Sequence, residues 1–325
     1  MLNTSTVTEF ILVGIPFFYD LHRIFFFIGL FLYIVAILGN GFILAIVAIE
    51  PRLQTPMYFF LSNLAFLEIC YTTTVVPKLL QTLIETRTTI CFHCCMAQNL
   101  FYFTFGGTEL LILTVMSFDR YMAICKPLQY PMIMTKNVCK QLSLATWCSS
   151  FILFFFQCLP IWRMSFCASN VVDHFLCDAA PLFSIACTDT FLNEIVGLLC
   201  AILLVILTLI FTLVTYIYII STIVHIPSAK GRKKAFSTCS SHLIVISILY
   251  GALMVMYVRP TLHSSSRLTR VLAVLNTAVT PVLNPFIYTI RNAEVKAAVR
   301  NAICKKRQLS NEEFLDVSNK VGKYE

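Results

Sequence analysis

Charge is what this sequence has least of. Asp, Glu, Lys and Arg make up only 12% of its 325 residues, against about 25% in ordinary soluble chains. Hydrophobic residues make up 58%, with a mean hydropathy of +0.81. A soluble chain of this length would be read as two domains, but a soluble core of ordinary size does not absorb so much apolar surface. Other absences narrow the field. The stretch Met1 to Asp20 lacks the basic start and long apolar segment of a cleavable signal peptide, so the first apolar run is expected to serve as its own insertion signal. No internal repeat relates one half of the chain to the other, which disfavours a repeat-built transporter. The Ser and His residues form no recognisable activating arrangement, so no enzyme is expected.

What the chain does have is seven apolar runs, at about 24–49, 57–80, 95–118, 140–162, 193–221, 237–259 and 270–290. Each is long enough to supply the roughly 20 residues that cross a bilayer as a helix. They are continuously apolar, whereas the strands of a membrane barrel alternate every second residue. The expected fold is therefore an all-α membrane protein, a seven-transmembrane helix bundle. Residues 1–23 form an N-terminal segment, 24–290 the bundle, and 291–325 a tail.

Basic residues orient the bundle. With the N-terminus outside, the cytoplasm receives Arg52, then Arg120, Lys126, Lys136 and Lys140, then Lys230, Arg232, Lys233 and Lys234, then eight more in 291–325, which is 17 of the 24. The net charge of +8 is thus a topology signal rather than a nucleic-acid patch. Asn3-Thr4-Ser5, a glycosylation acceptor, and the three cysteines Cys167, Cys177 and Cys187 between runs four and five fall on the outer side in this arrangement, where sugars and disulfides belong. In the tail, Val295, Ala298, Val299, Ala302 and Ile303 repeat at helical spacing among Arg291, Lys296 and Arg300, as in a short amphipathic helix at about 291–303 on the inner membrane surface. Cys304 at its end is a possible palmitoylation site, with a free thiol as the default. Residues from Gln308 onward are polar and expected to be disordered.

Ionisable residues inside the spans are few, and such residues usually face a cavity or a partner. Tyr102, Glu109 and Arg120 are spaced by about two and three helical turns, so one inward stripe joins an outer cavity, a buried carboxyl and an inner arginine. Six outer cysteines, Cys91, Cys94, Cys95, Cys167, Cys177 and Cys187, allow about fifteen complete pairings. Cys91-x-His93-Cys94 and His174-x-x-Cys177 have the chemistry of zinc or copper ligands.

Four long motifs carry a family resemblance. Met116-Ser117-Phe118-Asp119-Arg120-Tyr121-Met122-Ala123-Ile124-Cys125 resembles the inner end of helix three in rhodopsin-like G-protein-coupled receptors, in its odorant-receptor form. Leu53-Gln54-Thr55-Pro56-Met57-Tyr58-Phe59-Phe60-Leu61 resembles the odorant-receptor start of helix two. Lys234-Ala235-Phe236-Ser237-Thr238-Cys239-Ser240-Ser241-His242 resembles the start of helix six. Pro281-Val282-Leu283-Asn284-Pro285-Phe286-Ile287-Tyr288 resembles helix seven. With Gly39-Asn40 in helix one, the likeness reaches to about residue 303. Departures are small: Ser117-Phe118 for Ala-Tyr, Thr215-Tyr216 for Ser-Tyr, and Glu68 for an Asp.

The resemblance implies a receptor for a small, mostly apolar volatile ligand that activates a stimulatory G protein from the plasma membrane. Tyr102 stands where amine receptors carry an Asp, and 270–290 holds no lysine for retinal. The implied pocket is apolar and aromatic: Tyr102, Phe103, Gly106 and Gly107 on helix three, Cys200, Ala201 and Leu204 on helix five, Tyr250, Leu253 and Tyr257 on helix six. Some of these are equally compatible with plain interhelical packing. The implied switch comprises Asp119, Arg120, Tyr121, Tyr216, Asn284, Pro285 and Tyr288, with Arg120 paired to Asp119 at rest and swinging toward Tyr216 and Tyr288 on activation. No acidic residue begins helix six to lock it. Glu68, Glu109, Asn40 and Asn284 are read either as an allosteric sodium or proton site or as protonated, hydrogen-bonded carboxyls and their neighbours. The resemblance pairs Cys95 with Cys177 and leaves Cys167 for Cys187, which weakens the metal reading; Cys91 and Cys94 stay free or pair together. A related receptor for a non-volatile metabolite, or a transporter or channel, is the alternative.

Overall fold

In the structure, a computed structural model, residues 7–15, 21–85, 87–166, 169–257, 266–290, 295–296 and 300 are described. Seven long helices carry the chain: α1 (His22–Ile49), α2 (Pro56–Ile84), α3 (Phe92–Cys125), α4 (Lys136–Trp162), α5 (Phe191–Val224), α6 (Ala229–Tyr257) and α7. The last is continuous through three parts, helical Ser266–Val274, a wider π-type turn Leu275–Val279, and helical Thr280–Ile290. Among the described residues, six of them are long and apolar enough to cross a membrane, and α6 carries the apolar stretch Cys239–Met254 after a basic start with Lys230, Arg232, Lys233 and Lys234. The chain is a multi-pass membrane protein.

The helices overrun the apolar runs because their polar ends stay helical. Pro56 opens α2 at a position where a missing N–H costs nothing. Thr135 caps α4 by accepting from the Val138 amide at 3.4 Å. Phe27, Phe31 and Leu38 on α1 and Leu203 and Leu207 on α5 are exposed, as lipid-facing side chains must be. The polar residues turn inward instead, as the lack of water in hydrocarbon demands: Asn40, Glu68, Glu109, Asp119, His242 and Asn284 are all buried. The main core joins Ile43 of α1, Leu64 of α2, Leu113 and Met116 of α3, Ile219 of α5, and Leu249 of α6. Gly39 lets α7 come close, since a Cβ there would stand 3.1 Å from Pro285.

A small cap, which the apolar pattern did not announce, closes one end. Strand β1 (Glu9–Leu12) lies between β2 (Thr88–Cys91), antiparallel with Glu9 opposite Cys91, and β3 (Val171–Val172), parallel with Ile11 opposite Val171. The period of two sends Phe10 and Leu12 into a cluster with Ile90, Met96, Ile161, Val172 and Leu182. This pairing puts the N-terminal segment at the same end as the α2–α3 and α4–α5 connections. The chain then leaves the sheet at Gly14, whose φ of +75° suits glycine, and where a Cβ would lie 2.9 Å from Thr82 Cβ.

Candidate functional site

Three layers of polar and aromatic side chains run down the inside of the bundle. The outermost is a roof. Phe175 and Leu176, both fully buried, descend from the α4–α5 connection onto Tyr71, Val75 and Leu79 of α2, Tyr102 of α3 and Ala273 of α7. The disulfide Cys95–Cys177 fixes this segment to the top of α3. Beside it, Gln98 Nε2 donates to the Thr74 carbonyl at 3.0 Å while Gln98 Oε1 accepts from the Cys177 amide at 3.0 Å. Asn99 Nδ2 donates to the Cys177 carbonyl at 2.8 Å, and its Oδ1 accepts from the Cys158 thiol at 3.1 Å.

Arg270, at the head of α7, is 1% exposed and pins the roof from the other side. Its Nη2 lies 2.6 Å from Asp173 Oδ2 and donates to the Asp173 carbonyl at 2.8 Å, and Nη1 donates to the Gly14 carbonyl at 3.5 Å. His174 is buried next to it and stacks on Phe175 at 4.5 Å. Its Nδ1 accepts from the Leu176 amide at 3.3 Å. Burial, and then the Arg270 charge, push the His174 pKa down to about 3, so the ring is neutral. Burial raises Asp178, against a bond from the Ala179 amide.

Beneath the roof, the predicted pocket residues divide between two directions. Tyr102 and Gly106 face the α2 side: Tyr102 lies 5.6 Å from the Tyr71 ring, and a Cβ on Gly106 would meet only the Tyr71 hydroxyl, at 3.8 Å. Tyr71 also accepts from Asn276 Nδ2 at 3.4 Å, in the π-type turn of α7. Phe103 and Gly107 face α4 instead. Phe103 stacks on Phe154 at 5.8 Å, and a Cβ on Gly107 would fall 2.4 Å from the Phe154 ring and 2.7 Å from Ser150 Oγ. Gly107 is therefore a close-packing position between two helices. Cys200, Ala201 and Leu204 are half-buried on α5, and Leu204 packs onto the Phe154 and Cys158 cluster. Tyr250 and Leu253 are buried on α6, with the Tyr250 hydroxyl beside Thr114, Thr208 and Thr212. The Tyr257 side chain lies outside the described residues.

In mid-bundle, Asn284 donates to Glu68 Oε1, joining α7 to α2. Glu109 Oε1 is buried with no hydrogen-bond partner, and its carboxyl is near enough to repel that of Glu68 if both ionise. Asn40 does not turn toward these carboxyls. Its Nδ2 donates to the Ala36 carbonyl at 2.9 Å and the Pro281 carbonyl at 3.0 Å, tying α1 to α7.

The innermost layer differs from the expected resting pair. Among the described residues, Arg120 forms no salt bridge with Asp119. The Asp119 carboxylate accepts from the Tyr130 hydroxyl at 2.9 Å, offered by a short helix, Tyr130–Ile133, in the α3–α4 connection. The physical reason is position: Tyr130 brings a neutral donor to a buried carboxylate, while Arg120 is half-buried with its Nε lacking a hydrogen bond. Tyr216 is likewise engaged elsewhere, its hydroxyl 2.6 Å from His242 Nδ1 on α6. Tyr121 packs edge-on to Tyr218 of α5 at 6.0 Å. Pro285 sits against Gly39; the Tyr288 side chain lies outside the described residues.

At the cysteines of the cap, Cys91 and Cys94 form a disulfide at the start of α3, so neither is free to hold a metal. Cys187 is also disulfide-bonded. Its expected partner Cys167, Asn3, Cys304 and most of the amphipathic segment at 291–303 lie outside the described residues. Sequence reasoning missed Phe175-Leu176, Arg270 and the Tyr216–His242 bond. The first had a weak signal, an apolar pair beside Cys177, but Val171-Val172 and Leu182-Phe183 in the same connection are apolar pairs as well. Arg270 had none, because a charge at the head of a span reads as solvated.

Seven membrane-crossing helices, disulfide-closed over a buried aromatic layer and bearing an Asp-Arg-Tyr triplet at the far end of the third, have the fold of a rhodopsin-like G-protein-coupled receptor. Comparison with known proteins narrows this further. The family model described as "Olfactory receptor" matches residues 29–306. Olfactory receptor 6X1 of Homo sapiens is 53% identical over 304 residues, covering 93% of this chain and 97% of the relative. Olfactory receptor 6C3 of Homo sapiens is 46% identical, covering 94% and 98%, and olfactory receptor 6E1 of Mus musculus is 45% identical, covering 95% and 99%. The chain belongs to the olfactory receptor family, and is a receptor rather than an enzyme.

Proposed function

We propose that this receptor binds a small, mostly apolar odorant in the outer half of its bundle and activates a stimulatory G protein through the Asp119-Arg120-Tyr121 region. The observation that carries this reading is the aromatic layer around Gly106. There α3 has no side chain, an added Cβ would make ordinary contact with the Tyr71 hydroxyl at 3.8 Å, and Phe175 and Leu176 close the layer above. Such a site offers apolar packing with one or two phenolic hydrogen bonds, which suits a neutral ligand of few atoms. Tyr102, Gly106, Leu204, Tyr250, Leu253 and Tyr257 contribute to it, with Cys200 and Ala201 on its α5 side. Phe103 and Gly107 shape it indirectly by setting the α3–α4 distance.

The receptor sits in the plasma membrane with residues 1–23 outside, glycosylated at Asn3, and residues 291–325 in the cytoplasm. The strand cap supports this orientation, since the cystine-bearing connections and the N-terminal segment share one end. Activation replaces the bonds Tyr130–Asp119 and Tyr216–His242 as α6 moves outward, freeing Tyr216, with Tyr288, to receive Arg120. Ligand selects between the two packings by its different affinity for each. Glu68, Glu109 and Asn284 form the sodium or proton site, with Asn40 bracing α1 against α7 beside it.

Cells expressing the chain, assayed for cyclic AMP against a broad panel of volatile compounds, test the reading. A response is expected that Arg120→Ala abolishes at matched surface expression. Gly106→Val and Tyr257→Phe should shift the ligand concentration needed while leaving surface expression within about twofold. If Gly106→Val lowers surface expression and response alike, the pocket assignment is wrong. If the Arg120→Ala receptor responds fully, the switch assignment is wrong.

A further inference from the structure

The inner ends of α5 and α6 enclose a groove of about 480 Å³ that none of the preceding roles uses. It is lined by Ile220, Ile223 and Val224 from α5 and by Arg232, Lys233 and Phe236 from α6. Ile220, Val224 and Phe236 are about half to two-thirds exposed, so the groove opens outward from the bundle rather than into it. At its mouth the surface changes character. Lys230, Arg232 and Lys233 are exposed within a single turn, and among the described residues none of them forms a salt bridge. The reason is compositional: from Ile195 to Ala293, through all of α6 and α7 and nearly all of α5, the sequence contains no Asp or Glu. These cations have no acidic neighbour on the helices that carry them.

We propose that this groove is a binding site for one anionic phospholipid, its phosphorylated headgroup held by Arg232 and Lys233 and its first acyl segment laid along Ile220, Val224 and Phe236. Charge complementarity and depth select this occupant. An unpaired guanidinium and ammonium side by side at a membrane surface attract phosphate, and an apolar wall running from them toward the hydrocarbon matches a lipid tail rather than a soluble anion. The groove lies at the end of the bundle opposite the strand cap, which the orientation proposed above makes the cytoplasmic leaflet, where anionic lipids concentrate. Because it spans the short His225–Ser228 connection between α5 and α6, a lipid seated there touches both helices at once.

Purified full-length receptor, in detergent micelles doped separately with phosphatidylcholine, phosphatidylserine and phosphatidylinositol 4,5-bisphosphate, is analysed by native mass spectrometry for retained lipid. The anionic lipids are expected to be retained over phosphatidylcholine. The double variant R232Q/K233Q should weaken that retention roughly fivefold per charge, about 25-fold together. The double variant K136Q/K140Q removes two exposed charges from α4, away from the groove, and should leave retention within about twofold. Equal losses in both variants would mean diffuse surface attraction and overturn the site, as would no loss in either. Soluble inositol trisphosphate supplies the headgroup alone. If it competes as strongly as the intact lipid, the apolar wall plays no part and the assigned occupant is wrong. Melting temperatures within a few degrees of wild type ensure that lost retention is not lost folding. The measurement is made without odorant or G protein, so its outcome is independent of the receptor reading.

Discussion

At the capped end of this receptor, a sheet, an ion pair and the Cys95–Cys177 disulfide tie together segments from residue 9 to residue 270. At the other end of the same helices the side-chain ties are hydrogen bonds, among them Tyr130 to Asp119, Ser143 to Asn63 at 2.6 Å, Cys125 with Thr222 at 3.2 Å, and Tyr216 with His242. Each of these is worth about 1 kcal/mol, whereas a disulfide closing a long loop is worth several. One end is built to keep a shape and the other to give it up. A receptor needs that division, because a ligand biases two packings only if they differ by a few kcal/mol.

The largest test removes the strongest outer tie. Cys177→Ala, which frees the 82-residue separation bridged by Cys95, should cost about 3–5 kcal/mol and abolish surface expression. A fully expressed and ligand-responsive C177A receptor would show that the cap is ornamental. Next, Arg270→Met keeps the bulk but loses the contacts to Asp173 and Gly14, and should cost about 2–3 kcal/mol in thermal melting. Asp173→Asn should cost less, about 1 kcal/mol, because an amide oxygen and the backbone carbonyl at this position still accept from Arg270 although the counter-charge is gone.

The third test uses acid. His174 is neutral in the fold, with its pKa lowered from 6.5 to about 3. Between those values the unfolded chain binds the extra proton, so the contribution is whole above pH 6.5 and lost progressively as pH falls toward 3. At pH 5 the expected loss is about 2 kcal/mol. Asp178, raised by burial, acts in the opposite sense. The difference between wild type and His174→Gln therefore isolates the histidine, and identical pH profiles would refute its part in the cap. The smallest stability effect belongs to the inner end. His242→Phe should cost about 1 kcal/mol yet raise basal cyclic AMP about two- to fivefold by releasing α6 from Tyr216. Unchanged basal signalling with the same cost would make that bond simple packing.

How far these two ends were legible in the sequence differs in the same way. The spans were readable because hydrocarbon imposes one rule along every helix, and the inward turn of Tyr102, Glu109 and Arg120 follows from helical spacing alone. The strands were not. Four residues of alternation at Glu9–Leu12 are too few to signal a strand, and their partners lie some 80 and 160 residues away. Which neighbour a helical face meets was equally hidden. Spacing separates Tyr102 and Gly106 from Phe103 and Gly107, but only the position of α4 reveals that the second pair packs against Phe154. The resting partner of Asp119 was hidden for a related reason: an adjacent opposite charge looks decisive in a sequence, while Tyr130 arrives from another element, as His242 does for Tyr216.

The clamp around Arg270 also sets an order of events. A ribosome finishes Gly14 near the start of its work, yet that carbonyl's guanidinium partner comes 256 positions later. Strand β1 must wait for Val171 before its second edge is covered. Until Ile185 is made, then, Phe10 and Leu12 have no complete cluster to enter and stay available to a chaperone. The cap is finished late, only after Arg270 is made, though its first strand is among the first parts made.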